Sequence, residues 1–255
     1  MKNQTTILSY NILEGLQQSK VQIDVFVKWV TDLNPDIIFY QELNGFSEES
    51  FAALAKRCGH SFAVKMKEDG YRMGISSRFE ITNTERVSQD MRLGYIYAKI
   101  QDYHVFAVHL DPFTEEARVK EIRKTLAHAK TLPENSPVMI VGDFNALAES
   151  DLAAYSDPDF IAHMTAANPK FTLDFSVTNS MIEAGYCDAY AHFHSDFKRS
   201  FPTAKRIMPG DQGRRIDYAF LNHTLKMKCI SAEIVHDKIT RYLSDHYPLV
   251  IKLKS

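Results

Sequence analysis

Short apolar runs recur along the chain at residues 6–10, 37–40, 104–108, 138–141, 218–221 and 249–251. They are rich in β-branched and aromatic side chains, a pattern that predicts buried strands. Two stretches carry a helical period instead. Val21, Val25 and Trp29, with Phe26, Val30 and Leu33, repeat at i, i+4 spacing and stop at Asn34-Pro35, as an amphipathic helix with a proline terminator would. Val119, Ile122, Leu126 and Ala129 form a second stripe. Pro112 and Glu115-Glu116 mark its acidic start, and Pro133 lies beyond its end. Residues 62–67, 72–76, 81–87 and 95–100 are strand-like with little helix between them, which predicts a meander. Residues 191–198 read as loop, with His192 and His194 as solvated polar residues. The order is neither a regular βαβ array nor all-β. Two packed sheets with helices outside, an α+β sandwich, fit it best. No break in composition marks a boundary, so one domain over residues 1–255 is expected.

Composition narrows the function. Of 255 residues, 45% are hydrophobic and 24% charged, ordinary for a soluble globular protein. Lys and Arg number 30 against 32 Asp and Glu, a formal net charge of −2. That disfavours a histone-like or tail-driven nucleic-acid binder and leaves a local basic groove open. Cys58, Cys187 and Cys229 are far apart with no C-x-x-C, so reduced thiols in a cytosol-like compartment are expected. No signal-peptide pattern opens the chain, and no run approaches the roughly 18 apolar residues of a membrane span. The expectation is a cytoplasmic monomer.

Polar residues collect where the apolar runs end. Asn11 follows the first run and Glu42 the second; His109 and Asp111 follow the third. Gly142-Asp143-Phe144-Asn145 follows the fourth, Arg215-Ile216-Asp217 enters the fifth, and Ser244-Asp245-His246 precedes the last. Strand ends open onto a sheet edge, where a rigid scaffold can aim them at a ligand. Carboxylates, amides and histidines without cysteine form a hard donor set suited to Mg²⁺ or Mn²⁺. A hard cation facing a histidine beside a carboxylate suits phosphate-ester hydrolysis.

Ser9-Tyr10-Asn11, Tyr40-Gln41-Glu42, Val108-His109-Leu110, Gly142-Asp143-Phe144-Asn145-Ala146, Arg215-Ile216-Asp217-Tyr218 and Ser244-Asp245-His246 occur in one order. In that order the chain resembles the endonuclease/exonuclease/phosphatase superfamily, from residue 5 to residue 252. Gly185-Tyr186-Cys187-Asp188-Ala189-Tyr190 and Ser200-Phe201-Pro202-Thr203 resemble the family's connecting segments. The resemblance implies the deoxyribonuclease-like four-layer sandwich and a Mg²⁺-dependent phosphoesterase, with Mn²⁺ able to substitute.

It also implies roles that single residues would not carry. Glu42, alone a strand-end carboxylate in water, becomes the principal metal ligand. Asn11 joins it as a metal-site or phosphate-site amide, and Asp245 lies near the metal. His246 becomes the general base or the holder of the attacking water, with Asp217 fixing its tautomer; Asp217 could otherwise pair with Arg214 or Arg215. Asp143 orients water or protonates the leaving oxygen, Asn145 holds a phosphoryl oxygen, and His109 stabilises charge there. Asp188 supports the site from behind; Asp111, Asp174 and Thr203 rank below. Thr203, Arg214 and Arg215 are candidates for substrate contact. In the loop 204–214, with Lys205 and Arg206, a solvated basic loop and a phosphate-binding one are equally open.

Departures from individual branches direct the substrate reading. Apurinic endonucleases of the superfamily carry an acid where this chain has Leu13, and a tyrosine where it has His109. Inositol-polyphosphate 5-phosphatases carry a Trp before their G-D-x-N; the only Trp here is Trp29. The chain is nearer the histidine-bearing branches: deoxyribonucleases, sphingomyelinases and tyrosyl-DNA phosphodiesterases. Nucleic acid is the leading substrate. A small or lipid phosphoester is the alternative, and a non-catalytic binding module on the same fold the third reading. The loops 68–72, 90–94 and 204–214 that would choose carry no readable motif.

Overall fold

The computed structural model describes residues 4–66 and 69–254. Lys67, expected at a strand end, and Glu68, in a substrate loop, lie outside the described residues. The strands in chain order are β1 (Gln4–Asn11), β2 (Ile37–Gln41), β3 (Phe62–Lys65), β4 (Gly74–Ser77), β5 (Ile81–Val87), β6 (Tyr95–Ile100), β7 (Tyr103–His109), β8 (Val138–Asp143), β9 (Cys187–Asp188), β10 (Asp217–Leu221), β11 (Cys229–Ile234) and β12 (Leu249–Lys254). They form two mixed six-stranded sheets, ordered β11-β12-β1-β2-β4-β3 and β5-β6-β7-β8-β10-β9. Helices flank both, as expected of the α+β sandwich.

Period 2 explains the layers. Ile37 and Phe39 of β2 face the space between the sheets with Val105, Ala107, Met139 and Val141 of the other sheet. Their neighbours Ile38 and Tyr40 face outward, onto Phe26, Trp29 and Val30 of the helix Lys20–Leu33. Phe106 and Ile140 likewise face Ile122 and Leu126 of the helix Glu115–Ala129. Strands buried on both faces read as unbroken apolar runs, which is why these were legible.

Each sheet contains one parallel pair. β1 and β2 are joined through the helix Lys20–Leu33, and β7 and β8 through the helix Glu115–Ala129. Parallel pairing needs such a crossover, and it delivers the C-terminal ends of all four strands to one edge of the sandwich. The first helix ends at Asn34, left-handed at φ 56°, whose N–H reaches Val30 O. The second is capped by the Thr114 hydroxyl, which accepts from Ala117 N.

Several segments differ from expectation. The strands over 62–100 form no single meander: β3 and β4 join the first sheet, β5 and β6 the second. The helices Pro158–Ala167 and Ser176–Glu183 have no counterpart in the sequence pattern. Residues 191–193 are not loop but belong to the helix Ala189–Phe193, whose first N–H groups are accepted by the Asp188 carboxylate. His194 is half-buried there, stacked on Tyr190 with Nε2 donating to Ala232 O at 2.8 Å. The helix Glu48–Arg57 was not anticipated; Ser47 and Ser50 form its capping box. Among the described residues no helix is long and apolar enough to cross a membrane.

Candidate active site

The strand ends converge because their registers align. Asn11 pairs with Gln41 across β1 and β2, His109 with Asp143 across β7 and β8, and Asp217 with Asp143 across β10 and β8. By alternation Asn11, His109, Asp143 and Asp217 continue the rows that face between the sheets, so all four are buried. Gln41 occupies the inward position at the end of β2, and the chain then turns. Glu42 is left-handed at φ 60°, which ends the strand and brings its carboxylate to the mouth. A run of left-handed residues from Leu13 to Gln18 wraps back against it. Glu14 N donates to Glu42 Oε2 at 2.8 Å, and Gly15 N to Glu42 O at 2.6 Å.

Gly142 sets the spacing of the second sheet's edge. Its φ is 148°, and a Cβ there would lie 1.9 Å from the Val108 carbonyl oxygen. Only a residue without a side chain lets β7 and β8 approach closely enough to hold His109 beside Asp143.

Asp143 Oδ2 is the centre. Asn11 Nδ2 donates to it at 3.1 Å, and the Nε2 atoms of His109 and His246 each stand 3.7 Å away. Its other oxygen accepts Asn145 N at 2.9 Å. The Asn145 amide donates to Leu110 O at 3.1 Å, which fixes the Gly-Asp-Phe-Asn turn. Asn11 Nδ2 also reaches Glu42 Oε1 at 3.2 Å, joining the two sheets' carboxylates through one amide. His246 Nδ1 donates to Asp217 Oδ2 at 2.8 Å, which aims Nε2 at Asp143. Behind them Ser200 Oγ accepts the N–H groups of Ile216 and Asp217, and the Phe201 ring packs 4.9 Å from the imidazole.

Burial sets the electrostatics. Alone it would lower His246, but the Asp217 and Asp143 charges outweigh it and push the imidazole up to about 10. Burial raises the Asp143 carboxyl above the usual carboxylate range, against the pull of His246. The neighbouring carboxylates thus favour the protonated imidazole, and burial makes Asp143 a stronger base than an exposed carboxylate.

A cavity of about 670 Å³ opens over this centre, lined by Glu42, His109, Asp143, Asn145, Asp245 and His246 among others. Asn11 and Asp217 sit behind its wall, 0% and 2% exposed. Asp245 comes from the turn before β12; its Oδ2 meets Arg206 Nη1 at 2.9 Å, and the Arg206 side chain is 66% exposed. A second recess of about 390 Å³ adjoins the first and shares Phe113, Asn145, Arg214 and Ile216 with it.

The basic candidates divide. Arg206 and Arg214 line the cavity, with the Arg214 guanidinium 4.8 Å from the Phe201 ring centre. Lys205 instead reaches Gln22 Oε1 and Leu243 O. Arg215 is 0% exposed: Nε donates to Asp151 at 2.8 Å, Nη1 to Asp188 at 2.5 Å and Nη2 to Ser150 Oγ at 3.0 Å. With its donors engaged inside the fold it cannot touch substrate, which corrects that expectation. Asp188, expected behind the site, pairs with that buried guanidinium. Thr203 is also buried, its hydroxyl donating to Ser244 O at 2.5 Å; it holds the Ser244–Asp245 turn and does not face substrate. Asp111 accepts Phe113 N and Thr114 N, and Asp174 accepts Ser176 N and Oγ. Tyr71 and Arg92 at the rim lie in the loops 68–72 and 90–94 expected to choose the substrate, though no motif marks them individually; Phe113 beside them carries no signal in the sequence.

The family model described as Endonuclease/Exonuclease/phosphatase family matches residues 8–246, and the chain belongs to that family. Among solved structures it is similar to an AP endonuclease from Archaeoglobus fulgidus, with a TM-score of 0.75 and 19% identity over 98% of this chain and 100% of that one. D. rerio TDP2, complexed with a single-strand DNA product, gives 0.70 and 18% over 100% of both chains. The 3′ phosphatase NExo from Neisseria, bound to a product DNA hairpin, gives 0.69 and 16% over 98% and 100%. At these identities the likeness establishes the fold. No curated protein sequence matches the chain.

Proposed function

We propose that the protein is a divalent-cation-dependent phosphodiesterase that cleaves nucleic acid. The observation that carries this is the convergence of two imidazole Nε2 atoms and one amide on Asp143 Oδ2, beneath a cavity also lined by Glu42 and Asp245. The two imidazoles can hold phosphoryl oxygens in the cavity while the carboxylate, positioned from behind by the Asn11 amide, takes a proton from water. On this reading Asp143 is the base, and His246, carrying its proton on Nε2, holds the phosphoryl group and returns a proton to the leaving oxygen. His109 and Asn145 stabilise the developing charge.

The oxygen donors fit a hard cation. Glu42 and Asp245 are carboxylates on the same cavity, the exposed Arg206 is the cation now against Asp245, and Asn11 ties Glu42 to the centre. Mg²⁺, or Mn²⁺ in its place, would neutralise phosphoryl charge there. Two features favour a polymer over a small phosphoester. The cavity continues into the second recess, and Arg206 and Arg214 stand on its wall. The names of the similar structures, two with DNA products, support the same substrate class. The free cysteines suit a reducing, cytoplasmic setting.

The test is hydrolysis of single- and double-stranded DNA, RNA, abasic DNA and small phosphodiesters with Mg²⁺ or Mn²⁺, and again after chelation. Cleavage of a nucleic acid that chelator abolishes and either ion restores is expected. Glu42→Gln should raise the Mg²⁺ concentration needed for half-maximal activity about ten-fold or more. No turnover of any nucleic acid with either ion overturns the proposal.

A further inference from the structure

Phe113 stands on the rim with 70% of its surface exposed, where the main cavity meets the second recess. It follows His109 by four positions in the sequence, and the chemistry above makes no use of it. Its placement is nevertheless built. Asp111 Oδ1 accepts the N–H of Phe113 at 2.8 Å and that of Thr114 at 2.7 Å. The Arg92 guanidinium lies 4.4 Å from the ring centre, and its Nε is 3.7 Å from Asp111 Oδ2. Glu121, buried in the helix Glu115–Ala129, accepts Arg92 N at 2.7 Å on one oxygen and Asp111 N at 2.8 Å on the other. Two loops distant in sequence are thus pinned to one carboxylate, with a cation seated on an aromatic ring at the mouth of the site.

We propose that Phe113, backed by Arg92, is a stacking platform for an unpaired base next to the phosphate that is cleaved. The inference rests on the nucleic-acid reading above and narrows it to single strands and unpaired ends. A ring covered on one side by a guanidinium and otherwise open offers a surface to any base, because every base has a π face. Arg92 adds positive charge where the backbone passes. Inside a duplex both faces of a base are covered by its neighbours, so only an unstacked nucleotide can use the platform.

The test compares the wild type with Phe113→Leu and Phe113→Trp on one DNA sequence, offered as a single strand and as a long duplex. The wild type is expected to cleave the single strand with the lower KM. Phe113→Leu should raise the single-strand KM about ten-fold, with a much smaller change on duplex; Phe113→Trp should retain the preference. A 2-aminopurine beside the cleaved bond reports stacking directly. In an Asp143→Asn background, which permits binding without cleavage, its fluorescence should be quenched by Phe113 and by Trp, and not by Leu. Equal losses on both substrates, a wild-type preference for duplex, or no quenching overturns the platform and leaves the nuclease reading standing. Cleavage of neither DNA form nor RNA by the wild type overturns that parent reading.

Discussion

β1 and β2 of the first sheet and β7 and β8 of the second are each a parallel pair joined through one amphipathic helix, and both deliver their ends to the same cavity. The first pair ends in Asn11 and Glu42, oxygen donors with Glu42 half-exposed; the second ends in His109 and Asp143, both almost fully buried. One edge therefore presents open carboxylate chemistry, where an ion can enter and exchange. The other holds an imidazole beside a carboxylate in a buried setting, where burial raises the Asp143 carboxyl above the usual range. Neighbouring residues before β12 serve opposite edges: Asp245 lies toward Arg206, and His246 bonds Asp217. Equivalent backbone plans can thus be divided between charge neutralisation and proton transfer by the residues at the strand tips alone.

Breaking the buried edge should have the largest effect. Asp143→Asn keeps the shape and removes the central charge, and kcat/KM on nucleic acid should fall about 10³-fold. A loss under ten-fold would mean that the proton chemistry lies elsewhere. Next comes the support beneath that edge. Arg215→Met leaves Asp151 and Asp188 buried without their cation, and urea unfolding should show a loss of about 3–5 kcal/mol. A change under about 1 kcal/mol would show that the buried ion pairs add nothing to the scaffold.

The smallest effect tests the first sheet. His60 Nε2 donates to Pro35 O at 3.0 Å, and Nδ1 meets Ser76 Oγ at 2.7 Å. Burial lowers its pKa below the usual 6.5. As pH falls below about 6.5 the unfolded chain takes up this proton first, so stability falls with pH until the folded state also titrates. His60→Gln should flatten that slope, by at most about 1.4 kcal/mol per pH unit. Matching slopes in the two proteins would remove His60 from the account.

The sandwich was legible because strands buried on both faces are written as apolar runs, and the site because its residues sit at the ends of those runs. Local information was enough for Asn11, Asp143 and Asp217, whose direction follows from counting along a strand. It failed where direction depends on distant partners. Lys205 and Arg206 are adjacent, yet one reaches Gln22 and the other the cavity. Arg214 and Arg215 are also adjacent, and only the second finds two buried carboxylates, one of them 64 positions away. Arg92 and Phe113 meet through a carboxylate on a third element, so neither could be recognised from its own surroundings. Glu42 was placed at a strand end; the left-handed turn that makes it accessible is visible only in the backbone.

Gly142 extends this to a residue with no chemistry of its own. Since the Val108 carbonyl occupies the space where a Cβ would go, even one added methyl would wedge the two strand tips apart. The damage would reach activity without touching a reacting group. Tolerance to substitution and participation in the reaction are therefore separate properties here, and a mutational map of the cleft would place its sharpest intolerance partly on an atom that is missing.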